Sequence, residues 1–239
     1  MATGYINEQN DLIARGLVRG VTHVNKFGFN SATTANFETV WDNSNVYTYL
    51  TSAGTATVTA ADSQDDGGIV EIQGLDENYD LQIVNATIGG SATTEQFIRV
   101  FRVRLTTANT GVINAGDISV TINSINVAKI LAGKGQTLMA VYTIPRNKQG
   151  LLKKFQGSMA KSQDAVFKIL TRNGVENVFN TRGQFGTFGN VVTYDYPIPL
   201  VFNEKTDIEI RVKTGAVAEA GAIFDLLILD LPRLSAIQD

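Results

Sequence analysis

The sequence contains no cysteine and a single histidine, His23, among its 239 residues. Without cysteine the chain has no disulfide, no thiolate metal ligand and no cysteine nucleophile, and one histidine excludes any site built from two imidazoles. These absences argue against most zinc sites and most hydrolase mechanisms. We therefore expect a protein that is not an enzyme and that carries no cofactor.

Long hydrophobic runs are also missing. No stretch approaches the roughly 18 to 20 apolar residues that a membrane helix needs, and the first residues lack the pattern of an export signal, so we expect no membrane partner. Charge is nearly balanced, with 20 Lys and Arg against 23 Asp and Glu and a pI near 5.3. Because neutralising phosphates requires a basic face, a nucleic acid is not the expected partner either.

What the chain does have, from Val46 onward, is the alternation of apolar and polar residues that is typical of half-buried strands. At residues 101–105 apolar side chains occupy one face and two arginines the other, and residues 117–127 alternate in the same way and are interpreted as one strand. Turn residues separate about a dozen such segments, and hardly any helical period occurs between them. The pattern predicts an all-β, antiparallel, jelly-roll-like β-sandwich and excludes a parallel α/β fold.

The composition divides the chain into three parts: an N-terminal arm at 1–40, a first β subdomain at 41–133 and a second at 134–239. In the arm, Arg15, Arg19, His23 and Lys26 recur every three or four positions, but glycines disfavour a helix. Two interpretations stay open for it. It is either an extended arm that docks on acidic surface of a neighbouring subunit through Arg15, Arg19 and Lys26, or a first strand behind a frayed terminus.

Three aromatic residues are further candidates for partner contact. Trp41 lies where the arm meets the β region, and we interpret it as an anchor of that junction, with sugar stacking as the alternative. Phe185 and Phe188 lie in a glycine-rich stretch, 183–190, that is interpreted as a loop. Their rings either form a contact surface or fold back over one end of the sandwich.

The other clusters have ordinary explanations. Asp76–Asp80 begins like a calcium loop, but Leu81 replaces the required glycine, so an Asx turn is favoured over structural Ca²⁺, and the acids at 62–66 are interpreted as solvated. Residues 133–137 lack the full phosphate-loop pattern and are interpreted as a turn. His23 has no carboxylate beside it in the sequence, so a catalytic role is not expected. A carboxylate pair for glycoside hydrolysis would be visible only in the fold.

Several sequence segments resemble those of a known family: Val40-Trp41-Asp42, Asp65-Asp66-Gly67-Gly68, and the segments at 70–79, 97–102, 114–118 and 133–145. Together, over roughly residues 40–230, they resemble virion structural proteins of tailed bacteriophages, especially phages of marine bacteria. The resemblance implies a β-sandwich at the virion surface or neck, and no catalytic residue carries over. The family commonly follows Thr-Ile-Pro with a small-residue turn, whereas Arg146-Asn147-Lys148 stands here.

From the resemblance we expect a capsid decoration or cement protein. It would be made in the host cytoplasm, bridge major capsid subunits or other virion proteins, and form a homotrimer. The alternatives are a neck, tail or fibre component that binds a receptor or glycan, and a carbohydrate-active enzyme.

Overall fold

The computed structural model describes residues 9–160, 164–173, 176, 178–188 and 190–231. Strands account for 56% of the residues and helices for 4%. The helices are α1 (Gln9–Ala14) and a 3-10 turn at Ser63–Asp65, and no described helix has the length and hydropathy needed to cross a bilayer. The strands are β1 Val21–Asn30, β2 Glu38–Thr39, β3 Gly54–Thr55, β4 Thr57–Ala60, β5 Ile69–Leu75, β6 Leu81–Thr87, β7 Gln96–Phe97, β8 Arg99–Thr107, β9 Ile118–Ile122, β10 Ile125–Ile130, β11 Val141–Thr143, β12 Lys148–Met159, β13 Asp164–Asn173, β14 Asn180–Phe188, β15 Val192–Phe202, β16 Thr206–Thr214 and β17 Ala220–Asp230.

Two sheets form a sandwich with jelly-roll strand order. One sheet is β1-β17-β12-β15, and the other is β11-β16-β13-β14 with β2 also paired to β16. From β12 to β17 the chain crosses between the sheets in the manner of two Greek keys, and the described strand pairings are antiparallel. The sheets pack through Phe155 and Phe167, whose ring centroids are 6.0 Å apart. The prediction of an all-β antiparallel sandwich is confirmed.

A second β unit, β3 to β10, is inserted between β2 and β11. It consists of the sheets β10-β9-β4 and β6-β5-β8 and the ribbon β3-β7. Valines and isoleucines on its inner faces, such as Val58, Val70, Ile72 and Val120, are buried and belong to the same hydrophobic cluster as the sandwich core. One continuous core therefore joins the insert to the jelly roll.

The stretch predicted as an arm contributes strands to the sandwich. β1 pairs along its whole length with β17, and β2 pairs with β16, so the first-strand interpretation describes residues 21–39. Gly28 is required there because a Cβ at this position would overlap the Val40 carbonyl and the Ala140 amide, which cross β1 closely. Residues 1–8 of the predicted arm lie outside the described residues.

Three local predictions are wrong. Residues 117–127 are not one strand but the hairpin β9–β10, since Asn123 (φ 49°) and Ser124 (φ 63°) form its turn. Residues 183–188 are not a loop but the end of β14. Residues 46–50, the first of the segments predicted as strands from Val46 onward, join no sheet. Side chains bond their backbone instead: the Thr39 hydroxyl accepts from the Tyr47 backbone amide, and Arg99 donates to the Leu50 carbonyl.

Candidate interaction surfaces

Arg15 and Arg19 lie in the turn between α1 and β1. Ile13 is buried and fixes α1, whereas Arg15, Leu17 and Arg19 are exposed. Within the described residues neither arginine has a salt bridge to a carboxylate. This basic turn is therefore available to an acidic surface, and the assignment of both arginines to partner binding stays a prediction.

A groove of about 620 Å³ lies between α1 and β15, over the outer face of the four-stranded sheet. Beside this groove the His23 Nε2 is 3.1 Å from the Asp225 Oδ1, and the side-chain Nδ2 of Asn25 donates to the same oxygen. The sequence offered His23 no carboxylate because Asp225 lies 202 positions away and is brought near by the β1–β17 pairing. The pair orients an imidazole, but the described groove lining has no serine, threonine or cysteine that it could activate.

β15 is the free edge of the four-stranded sheet and carries exposed apolar side chains. The four residues Tyr196–Pro199 stand opposite the single Lys153 of β12, so the Pro-Ile-Pro segment departs from the regular ladder. Proline cannot donate to a strand ladder, and Pro197 and Pro199 both lie on this edge strand. Ile198 is 84% exposed and Val201 51% exposed, which makes this edge a candidate contact surface.

Lys26 is not a surface residue as the sequence suggested. It occupies a core-facing position of β1, where its side chain is buried and its ammonium donates to the Phe101 carbonyl and lies 5.9 Å from the Phe101 ring centroid. Burial, together with the positive charge of Arg102, lowers the pKa of Lys26 to about 7. Lys26 is buried because side chains alternate along β1, and this alternation turns Lys26 inward together with Gly28 and Asn30.

Beside Lys26, a cleft of about 270 Å³ separates β1 from the outer face of the β5-β6-β8 sheet. Arg102 lines it from β8, and its Nη2 donates to the Gln136 Oε1 at 3.0 Å, whereas its Nε is buried without a hydrogen-bond acceptor. Leu81 and Ile83 of β6 form the apolar wall. From the sequence, Arg102 was predicted only to lie on the polar face of a strand.

Trp41 is buried, with 1% of its surface exposed, so the structure contradicts its assignment to partner binding and places it as the anchor of the junction. Its Nε1 donates to the Asn45 carbonyl at 2.9 Å, its ring packs edge-on against Tyr47, and its backbone bridges to Met139. Sugar stacking at Trp41 is excluded in this structure because the ring has no exposed face.

Phe185 folds inward from β14. Its ring stacks on Phe155 at 4.9 Å and packs against Tyr194 at 5.5 Å, so it is half-buried at the end of the sandwich. This is the second of the two predicted arrangements, and it leaves Phe185 a poor contact residue. The side chain of Phe188 lies outside the described residues.

The acidic loops and the glycine motif are turns. The Asp76 Oδ1 accepts from the Asn78 and Asp80 amides, which confirms the Asx turn. Asp65 is buried instead of solvated and accepts from the Ala115 and Gly116 amides. Gly133 and Gly135 have positive φ in a turn. In the described part of the chain no three His, Asp or Glu residues are grouped as metal ligands.

Sequence reasoning missed a buried ionic network that joins the insert to the sandwich. Asp207 of β16 accepts from the Arg99 Nε at 2.8 Å, from the Arg172 Nη2 at 2.8 Å and from the Thr143 hydroxyl at 2.7 Å. Arg99 belongs to the insert, and Arg172 and Thr143 to the sandwich. The sequence carries no signal for this network, because charged residues alternate with apolar ones along β16 and such a pattern predicts a solvated charged face.

Comparisons with known proteins give little. No protein-family model and no curated protein matches the chain. Several solved structures match, and two of them are each 9% identical to this chain. The structure of the infectious bursal disease virus Gx strain aligns with 89% of this chain and 77% of its own at a TM-score of 0.19, and the VP2 subviral particle of infectious bursal disease virus aligns with 90% and 78% at 0.16. At these scores neither likeness assigns the chain to a family.

Proposed function

We propose that this protein is a non-enzymatic structural protein of a tailed-phage virion that decorates or cements the capsid. The observation that carries the proposal is the jelly-roll strand order of the β1-β17-β12-β15 and β11-β16-β13-β14 sheets, an architecture on which viral capsid domains are built. Since one fold hosts many functions, the strand order alone is not sufficient. The residues at 40–230 that resemble phage virion proteins supply the second support.

The physical case is one of stiffness combined with free edges. The continuous core and the Asp207 network hold insert and sandwich together, so the protein can transmit load between the subunits it touches. A protein that binds only the assembled lattice stabilises that lattice by mass action, without any chemistry. Many copies then multiply a modest contact through avidity.

The four-stranded sheet offers the contact surface for this role. Its basic turn, with Arg15 and Arg19, and its edge strand β15, with Ile198 and Val201, combine positive charge with exposed apolar surface. Exposed ion pairs contribute only about 0.2 to 1 kcal/mol each, so the apolar edge must supply most of the affinity for major capsid or other virion proteins.

Copy number tests the location. Quantitative mass spectrometry of purified particles is expected to find this protein in amounts comparable with the major capsid protein. A few copies per particle would contradict the cement role and indicate a neck, tail or fibre component, for which a soluble-glycan screen is the next experiment.

We also propose the homotrimer, because surface proteins of icosahedral shells often occupy local three-fold axes. Light scattering at micromolar concentration is expected to give a trimeric mass. A monomeric mass in solution, with monomers also seen on the particle, would contradict it.

A further inference from the structure

A buried cation, Lys26, and a partly buried one, Arg102, share the cleft between β1 and the β5-β6-β8 sheet without a counter-anion. The Lys26 ammonium has the Phe101 carbonyl as its acceptor, and the buried Nε of Arg102 has none. No carboxylate is among the described residues that line this cleft. Because buried cations are costly without a partner charge, the cleft favours an anion.

The neighbouring titratable groups do not supply that charge. His23 of β1 and Tyr142 of β11 line the cleft, and neither is an anion at neutral pH. Glu71 of β5 feels the charge of Arg102, but both of its carboxylate oxygens accept from Arg104 at 2.8 Å. Asp225 of β17 is the carboxylate beside His23 and Asn25, but its Oδ1 already accepts from the Asn25 side chain and lies 3.1 Å from the His23 Nε2. The described residues that line the cleft therefore supply no carboxylate for Lys26 and Arg102.

The edge of β1 along this cleft has free backbone groups. The Phe29 amide donates to the Leu138 carbonyl, away from β17, so by the two-residue period the amides of Phe27 and Asn25 point to the same side. Within the described residues these two amides have no backbone acceptor there. β6, on the opposite wall, is itself a sheet edge, with Leu81 57% and Ile83 58% exposed. Free edges of this kind bind extended peptides as an added strand.

From these observations we infer that the cleft binds an extended acidic segment of a partner protein, which pairs with the β1 edge and places one carboxylate between Lys26 and Arg102. The volume of about 270 Å³ lies just below the roughly 300 to 1,000 Å³ of sites for drug-sized ligands, and so suits one acidic side chain with its adjoining backbone. This inference does not require the virion role.

The test uses the full chain and two blocked peptides, acetyl-Thr-Val-Glu-Val-Thr-amide and its glutamine analogue, followed by amide NMR. The glutamate peptide is expected to shift the amides of Asn25 and Phe27 and to bind about tenfold more tightly at pH 7 than the glutamine peptide. Lys26→Gln and Arg102→Gln should each weaken binding about tenfold, and Lys148→Gln, which removes an exposed cation outside the cleft, should leave it unchanged.

A second measurement on the unaltered protein applies even where the Lys26→Gln chain does not fold. Because a bound carboxylate restores the charge of Lys26, whose pKa is about 7, peptide binding should take up protons and be tighter at pH 6 than at pH 9. Three results would each overturn the inference. They are equal affinity for the two peptides, NMR shifts confined to amides outside β1, and binding of acetate as tightly as the glutamate peptide. Sedimentation that shows a second copy filling the cleft would overturn it as well.

Discussion

At the scale of single residues, the most demanding position is Asp207. Its carboxylate is fully buried and is shared by two guanidinium groups and one hydroxyl, so each partner compensates part of the cost of burying the others. Tyr49 adds to this, since its ring lies 5.2 Å from the Arg99 guanidinium carbon and 4.5 Å from that of Arg172. The role of the network is therefore to stabilise the fold, and its charged groups are not available for chemistry.

Asp207→Asn should lower the free energy of unfolding by about 3 to 5 kcal/mol, because it leaves Arg99 and Arg172 buried without their shared anion. Urea unfolding at pH 7 measures the change. The matched control is Asp195→Asn, whose carboxylate is 74% exposed and 3.9 Å from Lys154, and which should change stability by less than about 0.5 kcal/mol. Similar values for the two variants would show that the network contributes little.

Lys26 predicts an unusual dependence of stability on pH. Its pKa is about 7 in the folded protein and 10.5 in the unfolded chain, so between these values the unfolded state binds more protons and stability must rise with pH. The contribution of Lys26 is therefore smallest below pH 7, and the slope above it is about 1.4 kcal/mol per pH unit at most. Urea unfolding from pH 7 to 10 should show this rise relative to Lys26→Met, and parallel curves for the two proteins would contradict the prediction.

At the scale of elements, the hairpin β9–β10 has a turn made from residues that do not favour it. Asn123 and Ser124 both have positive φ, which asparagine tolerates and serine does not. The pairing on both sides is otherwise regular until a bulge between Asn126 and Ala128. The turn is thus the weak point of an otherwise well-paired element.

Ser124→Gly should stabilise the protein by about 0.5 to 1 kcal/mol, because Asn-Gly is the preferred sequence for a turn with two positive φ angles. Thermal unfolding measures the shift. Ser119→Gly, in the extended β9 of the same hairpin, is the control and should destabilise by a similar amount. If both variants destabilise, the backbone at Ser124 does not have the conformation described.

At the scale of the whole molecule, the proposed function makes the exposed edge strand β15 the expected contact with virion proteins. Ile198→Glu should weaken binding to particles that lack the protein about tenfold, since it places a charge in an apolar contact. Co-sedimentation with such particles measures the change. Val112→Glu is the control, because Val112 is equally apolar and 98% exposed but lies in the insert, away from β15. Equal binding by the two variants would remove β15 from the interface.

Much of this molecule could be predicted from the sequence because strand alternation is local. Successive side chains of a strand point to opposite faces of the sheet, so every second residue lies on the same face. The buried residues of β8, β9 and β13 and the all-β class were therefore predictable. The same rule, once β1 is known to be a strand, turns Lys26 inward. In residues 21–30 a glycine and two basic residues interrupt the apolar alternation, so the sequence does not mark this segment clearly as a strand.

The sequence alone was thus sufficient for the class of the fold, for the turns at Asp76–Asp80 and at 133–135, and for the absence of cysteine chemistry. Only the tertiary structure decided which strands pair, that β1 meets β17 from the far end of the chain, and that His23 finds Asp225, Arg99 finds Asp207 and Lys26 shares a cleft with Arg102. The physical reason is that periodicity encodes the face of a strand but not its neighbour. Pairing is selected by the burial of whole sheets against each other, and long-range ion pairs follow from it.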